Sequence, residues 1–163
     1  MQFNKIKLDK IDILSFIIIL VIFSLDRISK IYVIKLIQTN ERELLINDFL
    51  NITLNWNRGI GFGLLSYDAT LIYHIISALI LLIIIYLIYL MVRSDNFVKL
   101  VLASIIGGAV GNLFDRLTYF AVPDFIDIHF KSYHWFTFNV ADIFISIGIF
   151  LMIISEFFLK KGT

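Results

Sequence analysis

No cysteine occurs among the 163 residues, which excludes disulfides, thiol catalysis and cysteine-based metal centres. Charge is scarce too: 17% of residues are charged, against about a quarter in soluble domains. The net charge of +1 leaves no basic patch of the kind a nucleic-acid partner requires. The three histidines, His74, His129 and His134, do not make a zinc-ligand spacing in the sequence. His74 lies in an apolar helical run and reads as a packed or hydrogen-bonded side chain. There is no linker, low-complexity run or clear internal repeat.

What the chain has in quantity is apolar surface. Hydrophobic residues make up 60% and the mean hydropathy is +0.90, so the chain reads as a single integral membrane domain over residues 1–163. Four apolar segments organise it, with spans expected at about 13–34, 70–92, 97–117 and 139–159. Each approaches the roughly 20 apolar residues at 1.5 Å rise that a bilayer core requires. Lys5, Lys7 and Lys10 precede the first run as in a signal peptide, but Asp26-Arg27 follows it in place of a small-residue cleavage site. The first run is therefore expected to be a retained helix.

Four spans put both termini on one side, together with the short basic segments Lys5 to Lys10, Arg93 to Lys99 and Lys160-Lys161. Dense positive charge in very short segments points to the cytoplasmic side. On the opposite side lie two connections. Residues 36 to 69 carry Leu44-Leu45-Ile46 and Phe49 to Trp56, whose alternation suggests short strands. Asn57-Arg58-Gly59-Ile60-Gly61-Phe62-Gly63 follows; its glycines suit either a cleft against an extended peptide or a simple hairpin turn. The second connection, Leu117 to Thr137, holds Trp135 and several Tyr and Phe, as an interfacial belt would.

The polar residues near these hydrophobic segments carry the functional argument, because a carboxylate near lipid faces a cavity, pairs with a neighbour or marks a site. Asp124 and Asp142 bound one short loop, and neighbouring carboxyls push their pKa values apart, as acid/base work requires. At the end of the third segment, Gly107 and Gly111 stand four apart on one face and suit close helix packing. Asn112 and Arg116 are also four apart and would present an amide and a guanidinium to one neighbour, for bracing or for a direct catalytic role. Asp26 and Lys30 share a helix face at i,i+4 and read as a structural pair, and Asp115 beside Arg116 reads as bracing.

Asn112-x-x-Asp115-Arg116, then Val122-x-Asp124-Phe125-Ile126, then Phe138-Asn139-x-Ala141-Asp142 resemble the signature of the bacterial lipoprotein signal peptidases. Upstream, Asp26-x-x-Ser29-Lys30 and Asn57-x-Gly59-x-Gly61-Phe62-Gly63 resemble the two earlier motifs of that family in the same order. The motifs extend over residues 26 to 142. Two departures stand out: Phe120 occupies a position where the family generally has Gly, and Pro123 replaces the usual aliphatic before the aspartate.

The resemblance implies four transmembrane helices with a small extracytoplasmic β-cradle and an outer loop containing a short helix. It implies an aspartyl endopeptidase of the bacterial cytoplasmic (inner) membrane, with both termini cytoplasmic. Its substrates would be diacylglyceryl-modified prolipoproteins, cleaved just before the lipidated cysteine, and membrane lipids would be its other partners. Asp124 and Asp142 match the catalytic dyad; Asn112, Arg116 and Asn139 match residues that line and brace the site; Asn57 and Gly59 match cradle residues that can contact substrate. Asp26 and Lys30 match a pair on the first helix. No cofactor or metal is required, and a site assembled within one chain suits a monomer. The competing expectation is an ion or proton pathway lined by Asp26, Lys30, Asp115, Arg116 and Asp142.

Overall fold

The computed structural model describes residues 9–40, 43–59, 69–131 and 133–159. Among the described residues four helices and four strands follow in the order α1 (Lys10–Asn40), β1 (Leu44–Asn47), β2 (Leu50–Asn57), α2 (Ala69–Arg93), α3 (Asn96–Tyr119), β3 (Val122–Phe130), β4 (Tyr133–Phe138) and α4 (Val140–Leu159). Gly61, Phe62 and Gly63, and the terminal lysines Lys5, Lys7, Lys160 and Lys161, lie outside the described residues. The expected short loop helix does not occur among the described residues of the two connections.

The helices form where the apolar runs are, and three of them, Leu71–Arg93, Asn96–Tyr119 and Val140–Phe157, are long and apolar enough to cross a membrane. The outward faces of α2 and α4 show side chains such as Leu82, Ile85, Phe150 and Phe157 to the surroundings, a surface that water would penalise and lipid would not. The 31-residue α1 is about 46 Å long at 1.5 Å per residue, but it carries Asp26, Arg27 and Lys30 in its interior. All three are buried.

Helix α3 is the centre of the bundle, touching α1, α2 and α4. Its core face, with Val101, Leu102, Ile105 and Ile106, is joined by Ile84 of α2. Small residues set the approach of its neighbours. A Cβ on Gly107 would meet Ile22 Cβ of α1 at 3.0 Å, and one on Gly111 would meet Asp26 Oδ2 at 2.6 Å. Gly108 serves α4: a Cβ there would lie 2.6 Å from the Ala141 carbonyl oxygen. At its start α3 is capped by Asp95, whose side chain accepts from Val98 N at 3.0 Å. It ends at Phe120, left-handed at φ 55°, where glycine is the usual residue.

The strands make one antiparallel sheet in the order β1-β2-β3-β4. The alternation in residues 44 to 56 does correspond to β1 and β2. Most of the second connection, residues 122–138, is the hairpin β3–β4, which composition did not reveal. Nine residues of β3 read Val-Pro-Asp-Phe-Ile-Asp-Ile-His-Phe, a strand pattern obscured by Pro123. The proline is tolerated near the strand's start because β4 pairs only from Ile126 onward, leaving no ladder bond to that neighbour unmade. The sheet lies at the bundle end where α1 and α3 finish and α2 and α4 begin. At the other end Lys99 Nζ bonds Asp12 Oδ1 at 2.6 Å.

Candidate active site

The start of α4 and the site are built by the same hydrogen bonds. Asn139 precedes the helix, and its Oδ1 accepts from the Asp142 backbone N–H at 3.1 Å. Asp142 Oδ2 accepts in return from the Asn139 N–H at 3.1 Å. This reciprocal pairing satisfies two otherwise orphaned donors of the first turn. The remaining end of the Asn139 amide reaches across to β3, where its Nδ2 donates to Asp124 Oδ1 at 2.6 Å. One fully buried asparagine therefore holds both aspartates.

Each carboxylate has a second amide. Asn57 Nδ2, from the end of β2, donates to Asp124 Oδ2 at 2.9 Å, and Asn112 Nδ2, from α3, donates to Asp142 Oδ1 at 2.8 Å. Asp124 sits on β3, whereas Asp142 lies in the first turn of α4. Burial raises the Asp124 pKa above the ordinary carboxylate range; the amides of Asn57 and Asn139 oppose the rise, and the charge of Asp142 adds to it.

The two aspartates open on a cavity of about 260 Å³ lined also by Asn57, Asn112 and Arg116, with Ile80, Ala109, Val122 and Ile145 as apolar walls. The apolar lining residues had no signature in the sequence, because any of them would serve equally in a membrane core. Ile80 comes from α2 and Ile145 from α4, so the helix packing alone selects them.

Arg116 does not share a neighbour with Asn112 as their spacing suggested. Its guanidinium lies against Gly59, where a Cβ would be 3.0 Å from NH2, and 5.6 Å from the Tyr73 ring. Nε and NH1 are buried without a hydrogen-bond partner among the described residues. Gly59, at φ 71°, takes a conformation that L side chains rarely adopt, and its N–H donates to Asn57 Oδ1 at 2.7 Å. Both ends of the Asn57 amide are thus engaged within the protein.

Beneath this pair lies a second polar layer. Lys30 Nζ, fully buried, donates to Asp26 Oδ2 at 2.8 Å, Asn112 Oδ1 at 2.9 Å and Asp115 Oδ2 at 2.6 Å. Arg27 reaches Asp115 Oδ1 at 2.5 Å and lies over the Phe114 ring. Asp115 therefore pairs across to α1 and not with its neighbour Arg116. Asp26 Oδ1 accepts from the Ala141 N–H at 3.1 Å, which ties α1 to the first turn of α4. Spacing in the sequence pairs Asp26 with Lys30, but the contact of Arg27 with Asp115 appears only once α1 and α3 pack.

Fold and site together define a class: a multi-pass helical membrane protein with a paired-carboxylate site at the sheet-bearing end of the bundle. The family model described as "Signal peptidase (SPase) II" matches residues 18–158. A lipoprotein signal peptidase of Pelagibacter ubique (strain HTCC1062) is 51% identical over 162 residues, covering 98% of this chain and 97% of the relative. One from Anaplasma phagocytophilum (strain HZ) is 36% identical over 147 residues, covering 88% and 92%. A solved structure described as a bacterial membrane enzyme at 1.9 Å resolution superposes with a TM-score of 0.71 at 31% identity, covering 91% of this chain and 94% of the other. The chain belongs to the signal peptidase II family, a family of aspartic proteases.

Proposed function

We propose that this chain is an aspartic endopeptidase that removes signal peptides from diacylglyceryl-modified prolipoproteins, cleaving just before the lipidated cysteine, with Asp124 and Asp142 as the dyad. The observation that carries the assignment is the bridge by Asn139, which holds both carboxylates beside one cavity with amide donors alone. Amides orient a carboxylate without supplying the full charge of a cation, so a proton can still be taken up and released.

The buried Asp124 is the partner better suited to hold the shared proton. Asp142 takes a proton from water as the water oxygen attacks the scissile carbonyl carbon, while Asp124 donates its proton to the carbonyl oxygen. Collapse of the tetrahedral intermediate breaks the C–N bond, the nitrogen leaves with the proton held by Asp142, and Asp124 recovers its own. The guanidinium of Arg116, whose Nε and NH1 have no hydrogen-bond partner among the described residues, lines this same cavity and suits a carbonyl of the extended substrate. Asn57 acts by holding Asp124, and Gly59 by leaving room for Arg116.

In this reading α1 is the fourth span, since its three buried charges are neutralised inside the protein, and such charges do not face lipid. The sheet end lies outside the bacterial cytoplasmic membrane, both termini lie in the cytoplasm, and one chain suffices. Exposed Trp135, Tyr133 and Phe136 suit the lipid headgroup region. The ion-pathway alternative is not supported: Lys30, Arg27, Asp26 and Asp115 pair with one another in a buried cluster instead of lining an open route. Purified protein in detergent with a diacylglyceryl-modified lipobox peptide tests the proposal. Cleavage on the N-terminal side of the modified cysteine is expected, and a peptide left intact rejects it.

A further inference from the structure

Away from the Asp124–Asp142 site, the β3–β4 hairpin gathers Asp127, His129 and His134, whose ligand-capable atoms lie within 4.8 Å of one another. We propose that these three side chains form a binding site for a divalent transition-metal cation of the zinc type.

The sheet register makes the cluster. Asp127 and His129 are two apart on β3 and so point to one face, and His134 of β4 is the direct cross-strand partner of His129. The imidazoles stack with centroids 5.3 Å apart at 22°. Asp124 is three residues before Asp127 on the same strand, which places it on the opposite face, so the cluster does not belong to the dyad. The linear spacing concealed this grouping because the hairpin, not a helix turn, closes it.

Hydrogen bonding leaves the cluster incomplete. His134 Nδ1 lies 2.7 Å from Asp127 Oδ2, which accounts for one oxygen of a carboxylate that is 3% exposed. The other, Oδ1, is buried with no partner among the described residues, and so is His129 Nδ1. Asn51 of β2 stands opposite Asp127, and its Oδ1 is likewise buried without a partner among the described residues. An Asp–His pair explains one contact and leaves these atoms stranded. A cation explains them together. Two imidazoles and a carboxylate suit zinc and its neighbours, whereas calcium and magnesium require more oxygen ligands than the cluster offers. His134 is half exposed, with 57% of its side chain accessible, so a cation can enter from solvent, and its binding would clip the hairpin end to β3.

The test uses the full chain in detergent with any affinity tag removed, stripped with chelator, dialysed and titrated with zinc chloride. One zinc ion per chain and a rise in thermal midpoint are expected. His129→Ala and His134→Ala should each weaken zinc binding by at least about tenfold and remove the thermal shift. The exposed position of His134 keeps its variant folded, so the comparison does not depend on His129→Ala alone. Zinc binding that survives both substitutions, no zinc binding, or tighter binding of magnesium or calcium than of zinc overturns the proposal.

Discussion

Two pairs of carboxylates lie at the same end of the bundle, all buried but the partly buried Asp142, and they are treated in opposite ways. Asp26 and Asp115 are surrounded by cations, with Lys30 between them and Arg27 against Asp115. Asp124 and Asp142 are surrounded by amides. The first group is held by short contacts to cations, and removing a partner would leave an uncompensated charge in low dielectric. The second is held in place by neutral donors, which in the proposed mechanism leaves it able to exchange a proton. Asn112 joins the layers, accepting from Lys30 through Oδ1 and donating to Asp142 through Nδ2, so the rigid cluster fixes which way the amide faces. Position near lipid makes a carboxylate costly; the partners decide whether it is structural or reactive.

The largest effects should separate the two groups by readout. Asp124→Asn and Asp142→Asn keep the shape but cannot transfer the proton, and each should lower turnover on the order of a thousandfold or more in a peptide-cleavage assay, with the double variant little worse than either. Retention of substantial turnover by either variant would remove the dyad assignment. Lys30→Met should do the reverse kind of damage, stranding two buried carboxylates at a stability cost of roughly 3–5 kcal/mol, visible as a large fall in thermal midpoint in detergent. A folded, stable and inactive Lys30→Met protein would place Lys30 in the chemistry instead.

An intermediate effect is expected at the joint. Asn112→Ala removes one hydrogen bond to Asp142 and one acceptor from Lys30. A bond to a charged group is worth about 2 kcal/mol, so turnover should fall roughly thirtyfold, with a smaller loss of stability than Lys30→Met causes. Equal loss in both readouts would mean that the two layers are one unit.

A smaller effect concerns pH. The folded pKa of Asp124 is raised, so the stability tied to its protonated form is present below the ordinary value of 3.8 and is lost as pH rises through the folded pKa. Activity should fall on the same alkaline side as the shared proton leaves. Asp124→Asn carries no such titration, and its thermal midpoint should therefore decline less than the parent's over that range. A midpoint that falls in parallel for both proteins would contradict the assignment. Smallest of all, Phe120→Gly relieves the left-handed φ of 55° but loosens the unfolded chain and gives up ring contacts with Tyr73 and His74, so stability should change by no more than about 1 kcal/mol.

Much of the site could be read from the chain. The i,i+4 spacing of Asp26 and Lys30 places them on one helix face, and Gly107 and Gly111 mark the face where α1 approaches, because helical periodicity is local. Strands β1 and β2 also followed from alternation. The hairpin β3–β4 did not: its aromatic, proline-containing sequence reads equally as an interfacial connection, and only pairing with β2 defines it as sheet.

By itself, then, the sequence determined a membrane-embedded helical chain with apolar runs of spanning length and a set of polar residues too costly to lie there without purpose. Tertiary structure alone decided how those residues divide. Asp115 faces α1 and meets Arg27 and Lys30 instead of Arg116 beside it, Asn57 closes on Asp124, and His129 meets His134 across a turn. These outcomes depend on which elements face one another, and side chains distant in sequence acquire partners only when helices and strands pack.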